Sequence, residues 1–130
     1  MSEIRASIIS DAAGTGPIYL HKQSAAKGWV NFIGQGTIAF RGSVNVSSLT
    51  DNGTGRYTVD FSNAFGSADN YTFNFNFGTT ANATVNSARA VSGNITAFSV
   101  GCEVGNFQAG ATNGYNDVEY VTGLFHGDLA

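Results

Sequence analysis

Hydrophobic and polar residues alternate with a period of two through much of the chain after Ser24. Ser43 to Thr50 sets Val44 and Val46 against Asn45 and Ser47, and Arg56 to Phe61 sets Tyr57, Val59 and Phe61 against Arg56, Thr58 and Asp60. This is the period of strands with one buried face. Between the two runs lies Asp51-Asn52-Gly53-Thr54-Gly55. Asn-Gly in that position predicts a hairpin, because a tight reversal needs positive φ, which Gly adopts without steric cost. The cleanest alternation is Asn70 to Phe77, with Tyr71, Phe73, Phe75 and Phe77 on one face and Thr72, Asn74 and Asn76 on the other. Aligned aromatics of this kind predict a core face. The Thr and Asn side chains predict an uncharged hydrogen-bonding face, for use between subunits or toward hydroxyl-rich ligands.

The remaining runs are shorter. Ile4 to Ser10 and Ile18 to His21 are strand-like around a turn containing Gly14, Gly16 and Pro17. This segment, residues 1–23, is expected to pack on the main domain, residues 24–130, or on a neighbouring subunit. Trp29 stands in an apolar run with Val30 and Phe32 and is expected to be buried. Gly78 to Asn94 loses its periodicity, which suggests a long loop or short edge strands. Asn94 to Val104 and Asp117 to Phe125 read as two further strands joined by a loop from Gly105 to Asn116. Cys102 shares the alternating face of Phe98, Val100 and Val104, which places it in the core. Together the runs predict an all-β fold, an antiparallel β-sandwich of roughly seven to nine short strands.

Composition adds a property of the surface. The chain has 130 residues, enough for one domain, with 17 Gly, 1 Pro and only 12% charged residues. A weakly charged surface repels neighbours poorly, so the chain is expected to associate. A net charge of −3, with six basic residues scattered along the sequence, argues against nucleic-acid binding, which needs clustered Lys and Arg. A single cysteine excludes an intrachain disulfide. The amino terminus lacks the pattern of a secretory signal, and no apolar stretch is long enough for a membrane-spanning helix.

Four segments in order carry a resemblance: Gly28-Trp29-Val30-Asn31-Phe32, the run NVSSLTDNGTG from Asn45 to Gly55, Tyr57-Thr58-Val59-Asp60-Phe61, and Ala68-Asp69-Asn70-Tyr71. They resemble a domain that recurs near the C-termini of tail fibres and other structural proteins of tailed bacteriophages and prophages. Asp117 to Phe125 is similar to its closing strand, so the resemblance covers most of the chain after Ser24. The family pattern has Ala, Asn and an acidic residue where this chain has Gly28, Ile33 and Arg56, and these changes are expected at surface or turn positions. The resemblance implies a virion component, made in the host cytoplasm, that forms an intertwined homotrimer and contacts other virion proteins. It brings no catalytic motif.

The residues themselves point away from chemistry. The acidic residues are mostly isolated, and His21 and His126 lack the spacing of metal ligands. No Gly-x-Ser-x-Gly elbow or phosphate-binding loop occurs. The expectation is therefore a non-enzyme without cofactor or metal, acting as a fibre or similar appendage that attaches to a host-surface glycan or protein. A capsid decoration or tail adaptor binding only virion proteins is the alternative, and a polysaccharide depolymerase ranks last for want of a carboxylate pair. The candidate ligand contacts are Phe107, Gln108, Asn113 and Tyr115. They lie in a long glycine-rich loop, and planar amides and aromatic faces are what hold neutral sugars.

Overall fold

The computed structural model describes residues 26–78, 87–107 and 114–130. The expected segment 1–23, with its strands, lies outside the described residues, as do Gln108 and Asn113. The described chain forms β1 (Gly28–Ile33), β2 (Ala39–Val44), β3 (Val46–Asp51), β4 (Arg56–Phe61), β5 (Tyr71–Gly78), β6 (Ser87–Ile95), β7 (Ser99–Asn106), β8 (Gly114–Tyr115) and β9 (Tyr120–Gly127). No helix occurs among these residues. The strands pair antiparallel in two sheets, ordered β2-β1-β9-β5 and β3-β4-β7-β6, with β8 added to β7. The fold is all-β, with the arrangement of a β-sandwich.

The sheets share one core. Val30 and Phe32 of β1, Tyr71 and Phe75 of β5, and Val121 and Phe125 of β9 face Tyr57, Val59 and Phe61 of β4 and Val100, Cys102 and Val104 of β7. Edge-to-face ring contacts cross between the sheets: Phe32 meets Tyr57 at 5.2 Å, and Phe61 meets Phe125 at 4.9 Å and Tyr71 at 5.8 Å. Such geometry adds about 0.5–1.5 kcal/mol per pair to the burial of the rings. Cys102 is fully buried, as expected, and burial pushes its thiol up to about 12.

Each end of the sandwich is tied by a tyrosine. At one end the Tyr57 hydroxyl donates to the Gly34 carbonyl at 2.6 Å and lies 3.1 Å from Asp117 Oδ1, which also accepts the Gly55 amide at 2.7 Å. At the other, the Tyr71 hydroxyl donates to the Thr96 carbonyl at 2.9 Å while its ring stacks on Phe65 at 4.5 Å. Burial raises both phenols, Tyr71 to about 12 and Tyr57 further, with the Asp117 carboxylate as the second cause at Tyr57.

The hairpin at Asn52-Gly53 forms as the sequence predicts, with Gly53 at φ 106° and Gly55 at φ 63°. Other expectations are corrected. The single run Ser43 to Thr50 is two strands in different sheets, because Asn45 adopts φ 56° and turns the chain from β2 into β3. Its side chain holds the switch by accepting the Asn63 amide at 2.8 Å and donating to the Asn63 carbonyl at 3.1 Å. The run Asn94 to Val104 is also broken. Thr96 Oγ1 accepts the amides of Phe98 at 3.1 Å and Ser99 at 2.9 Å, closing a turn between β6 and β7. Phe98 sits in that turn, 68% exposed, and not in the core. Of the two readings for Gly78 to Asn94, a long loop or short edge strands, the second holds in part: Ser87 to Ile95 is an edge strand, nine residues long.

Trp29 is the largest correction. It is 41% exposed, because β1 turns Gly28, Val30 and Phe32 inward and the pleat sends Trp29 to the outer face. Gly28, expected at a surface or turn position, is instead buried in the strand, where an added Cβ would meet Phe125 Cδ2 and the Val44 carbonyl at ordinary contact distance, 3.4 Å.

Trp29→Ala is therefore expected to cost about 1–2 kcal/mol, whereas Phe125→Ala, with a fully buried ring, should cost about 3–5 kcal/mol. Urea denaturation of the two variants checks the contrast. The tyrosines give an alkaline prediction. An unfolded tyrosine ionises near pH 10, so the stability held by a raised phenol is complete below that pH and is lost as pH rises toward and through about 12. The urea midpoint should fall steeply above pH 10, and Tyr71→Phe should make the fall shallower.

Candidate functional site

The only two sequence-predicted ligand contacts within the described residues come together. The Phe107 and Tyr115 rings lie 5.7 Å apart, edge to face, at the end of the sandwich that holds the Tyr57 tie. The local fold explains the meeting. β7 runs beyond the end of β4, and β8 occupies the pairing edge thus left open, with Gly105 opposite Tyr115 and Asn106 opposite Gly114. That close pairing needs Gly105, where a Cβ would overlap the Gly114 carbonyl oxygen. Gly55 fills the corner between β4 and β8: its carbonyl accepts the Val104 amide at 2.7 Å, and the Val104 carbonyl accepts the Asn116 amide at 3.1 Å. Asp117, anchored on Gly55 and Tyr57, then holds down the chain just after Tyr115.

Three charged residues that the sequence reading left scattered complete the cluster. Register places Arg56 of β4 and Arg89 of β6 opposite Glu103 of β7, one on each side. Arg89 contacts Glu103 Oε2 through Nε at 3.0 Å and through its terminal nitrogen at 2.9 Å. The Arg89 guanidinium lies over the Phe107 ring at 4.0 Å, and that of Arg56 lies 5.2 Å from the centre of the Tyr115 ring. The result is a chain of contacts from Arg56 through Tyr115, Phe107 and Arg89 to Glu103, which strand register sets opposite Arg56. An open depression beside it is lined by Arg89, Ala90, Val91 and Glu103.

Two guanidinium groups face one carboxylate, so the cluster carries an excess positive charge. Glu103 is mostly buried and committed to Arg89, while Arg56 forms no ion pair among the described residues. Chemically the arrangement offers two aromatic faces, a fixed cation and a second cation able to exchange partners. It differs from the neutral-sugar site that amides and rings alone would make, and the aromatics are braced by their neighbours and are not idle loop residues. Of the missed residues only Arg56 carried a signal, as one of three positions, with Gly28 and Ile33, where the expected pattern has another residue type.

Among the described residues no three His, Cys, Asp or Glu side chains are grouped as metal ligands would be. Comparison of the chain with protein-family models, with curated proteins and with solved structures finds no match.

Glu103→Ala is expected to lower stability by about 1–2 kcal/mol, less than a buried pair would lose because Arg89 is half exposed and regains water. It should also free Arg89 from the Phe107 ring, read as a shift of the Phe107 ring-proton resonances.

Proposed function

We propose that the chain is a non-enzymatic virion component of a tailed bacteriophage or prophage, a tail fibre or similar appendage, that assembles as an intertwined homotrimer, contacts other virion proteins and contributes to host attachment. The observation that carries the reading is the order of the resembling segments: GWVNF, NVSSLTDNGTG, YTVDF and ADNY follow one another in frame over residues 28–71. These segments contribute β1, the β3–β4 hairpin and the approach to β5, so the resemblance lies in the frame of the domain.

The attachment surface in this reading is the cluster of Phe107, Tyr115, Arg56 and Arg89. Rigid strands present it at one end of the sandwich, and ligand sites on such folds collect where loops leave the sheet. Its ring faces suit the apolar face of a saccharide, and its surplus guanidinium suits a carboxylate or phosphate group. An acidic host-surface glycan matches that combination better than a neutral one. Charge-assisted contacts of this kind weaken with salt when they are exposed.

Immunogold labelling of purified particles with antibody to this chain tests the virion reading. Label at a fibre or tail structure is the expected result, and label confined to host cytosol would overturn it. For the attachment surface, Phe107→Ala with Tyr115→Ala should lower adsorption to host cells by at least about tenfold, an effect of about 1.4 kcal/mol. The same double variant should lose about 1–3 kcal/mol of stability, since it removes one ring pair and two cation–π contacts. Adsorption equal to that of the parent would place attachment elsewhere.

A further inference from the structure

The outer faces of the two sheets differ in kind. On the sheet β3-β4-β7-β6 the outward side chains include Asp60, Arg56, Glu103 and Arg89, with Ser48 donating to Asp60 at 2.6 Å and Arg89 paired to Glu103. The outer face of β2-β1-β9-β5 has two central rows without an ionisable group. Register gives the first row as Val44, Trp29, Leu124 and Asn74, and the second as Gly42, Asn31, Thr122 and Asn76. In the first row Val44 is 48% exposed, Trp29 41% and Leu124 50%, three of the six large hydrophobic residues exposed among those described.

The second row shapes that surface. The indole of Trp29 lies across Gly42, whose Cβ, if present, would stand 3.0 Å from the ring, so the tryptophan lies flat along the sheet. The Asn76 side-chain amide donates to Asn74 Oδ1 at 2.7 Å, forming a ladder that leaves few charges or long side chains to clear away on contact. Beside it, Asn31 Oδ1 is shielded from solvent yet has no hydrogen-bond partner. A shielded acceptor in that state costs about 1–3 kcal/mol until a donor reaches it.

We infer that this face is the surface through which copies of the chain associate. The occupant is a second copy because the central rows are self-compatible. At the axis of a threefold assembly the same residues of the three copies come near one another, and a fixed charge placed there would meet its own charge. The central rows of this face meet apolar surface and amides that both donate and accept, which suits contact between identical partners, while its ionisable groups lie at the borders, His126 beyond Leu124 on one side and the Arg41–Glu119 pair over Tyr120 on the other. The opposite sheet lacks that property, since the outward side of its central strands β4 and β7 carries Arg56, Asp60 and Glu103, with Arg89 beside them on β6. The inference deepens the homotrimer reading, on which it rests, by naming its contact surface.

Trp29 is the only tryptophan and so reports directly on the surface. In the intact chain, light scattering at tens of micromolar is expected to show an oligomer, with Trp29 emission blue-shifted and protected from acrylamide. Leu124→Lys should yield a monomer with an unchanged β-type circular-dichroism spectrum and red-shifted, quenchable emission. Asn74→Lys, at an exposed polar position, should shift the dissociation constant at least tenfold and serves if Leu124→Lys does not fold. Thr50→Lys, on the outer face of the other sheet, should leave the oligomer intact. A monomeric parent chain, or an oligomer that survives both Leu124→Lys and Asn74→Lys, overturns the inference. Particle labelling is a separate readout, so failure of this contact surface is distinguishable from failure of the virion reading.

Discussion

The hydrogen bonds converging on Asp117 hold this structure's most demanding junction. One carboxylate oxygen takes the Gly55 amide and lies against the Tyr57 hydroxyl, whose proton goes to the Gly34 carbonyl. Those residues belong to the end of β1, the head of β4 and the approach to β9, so a few bonds connect both sheets. Glycine at 34 and 55 is part of the arrangement. A Cβ at Gly34 would stand 2.7 Å from the Tyr57 hydroxyl, and one at Gly55, already at positive φ, would overlap the Val104 carbonyl oxygen. A buried phenol without such partners would lose its water and gain nothing in return.

The candidate site depends on that junction. Holding Asp117 fixes Asn116 on Val104 and sets Tyr115 beside Phe107. The rings can then serve as supports for Arg56 and Arg89, which the strand register has already aligned with Glu103. The same sheet geometry separates two kinds of surface. Charges gather on the outer face of the five-stranded sheet, while apolar and amide groups gather on the centre of the four-stranded one. The four-stranded face keeps only its centre clear, with His126 and the Arg41–Glu119 pair at its borders, while pairing across β4, β7 and β6 brings Arg56, Glu103 and Arg89 together on the other.

Part of the site was legible before folding. Phe107 and Tyr115 stand in a glycine-rich stretch between strand-like runs, and aromatics there have few reasons to be idle. Arg89 and Glu103 were not legible, because fourteen positions separate them and only the β6–β7 pairing joins them. Arg56 was visible as a departure from the resembling pattern, yet its ring partner lies across the chain in β8. Cation–π contacts between distant strands leave no spacing in the sequence by which to find them.

For the fold, the sequence by itself determined which residues alternate and where Asn52-Gly53 must reverse the chain, since both follow from local backbone geometry. It assigned Tyr57, Val59 and Phe61 to one face and Thr72, Asn74 and Asn76 to another, and those divisions hold. Tertiary structure decided which face of an alternating strand is the inside. Around Trp29 both faces are apolar, and only the approach of the second sheet to Val30 and Phe32 leaves the indole outside. It also decided where continuous-looking runs break. Val44 and Val46 keep the period of a single strand across Asn45, although one joins each sheet, and Thr96 closes a turn with its hydroxyl inside a run that reads as unbroken. A period of two records that a strand has two faces; burial of either face is set by what packs against it.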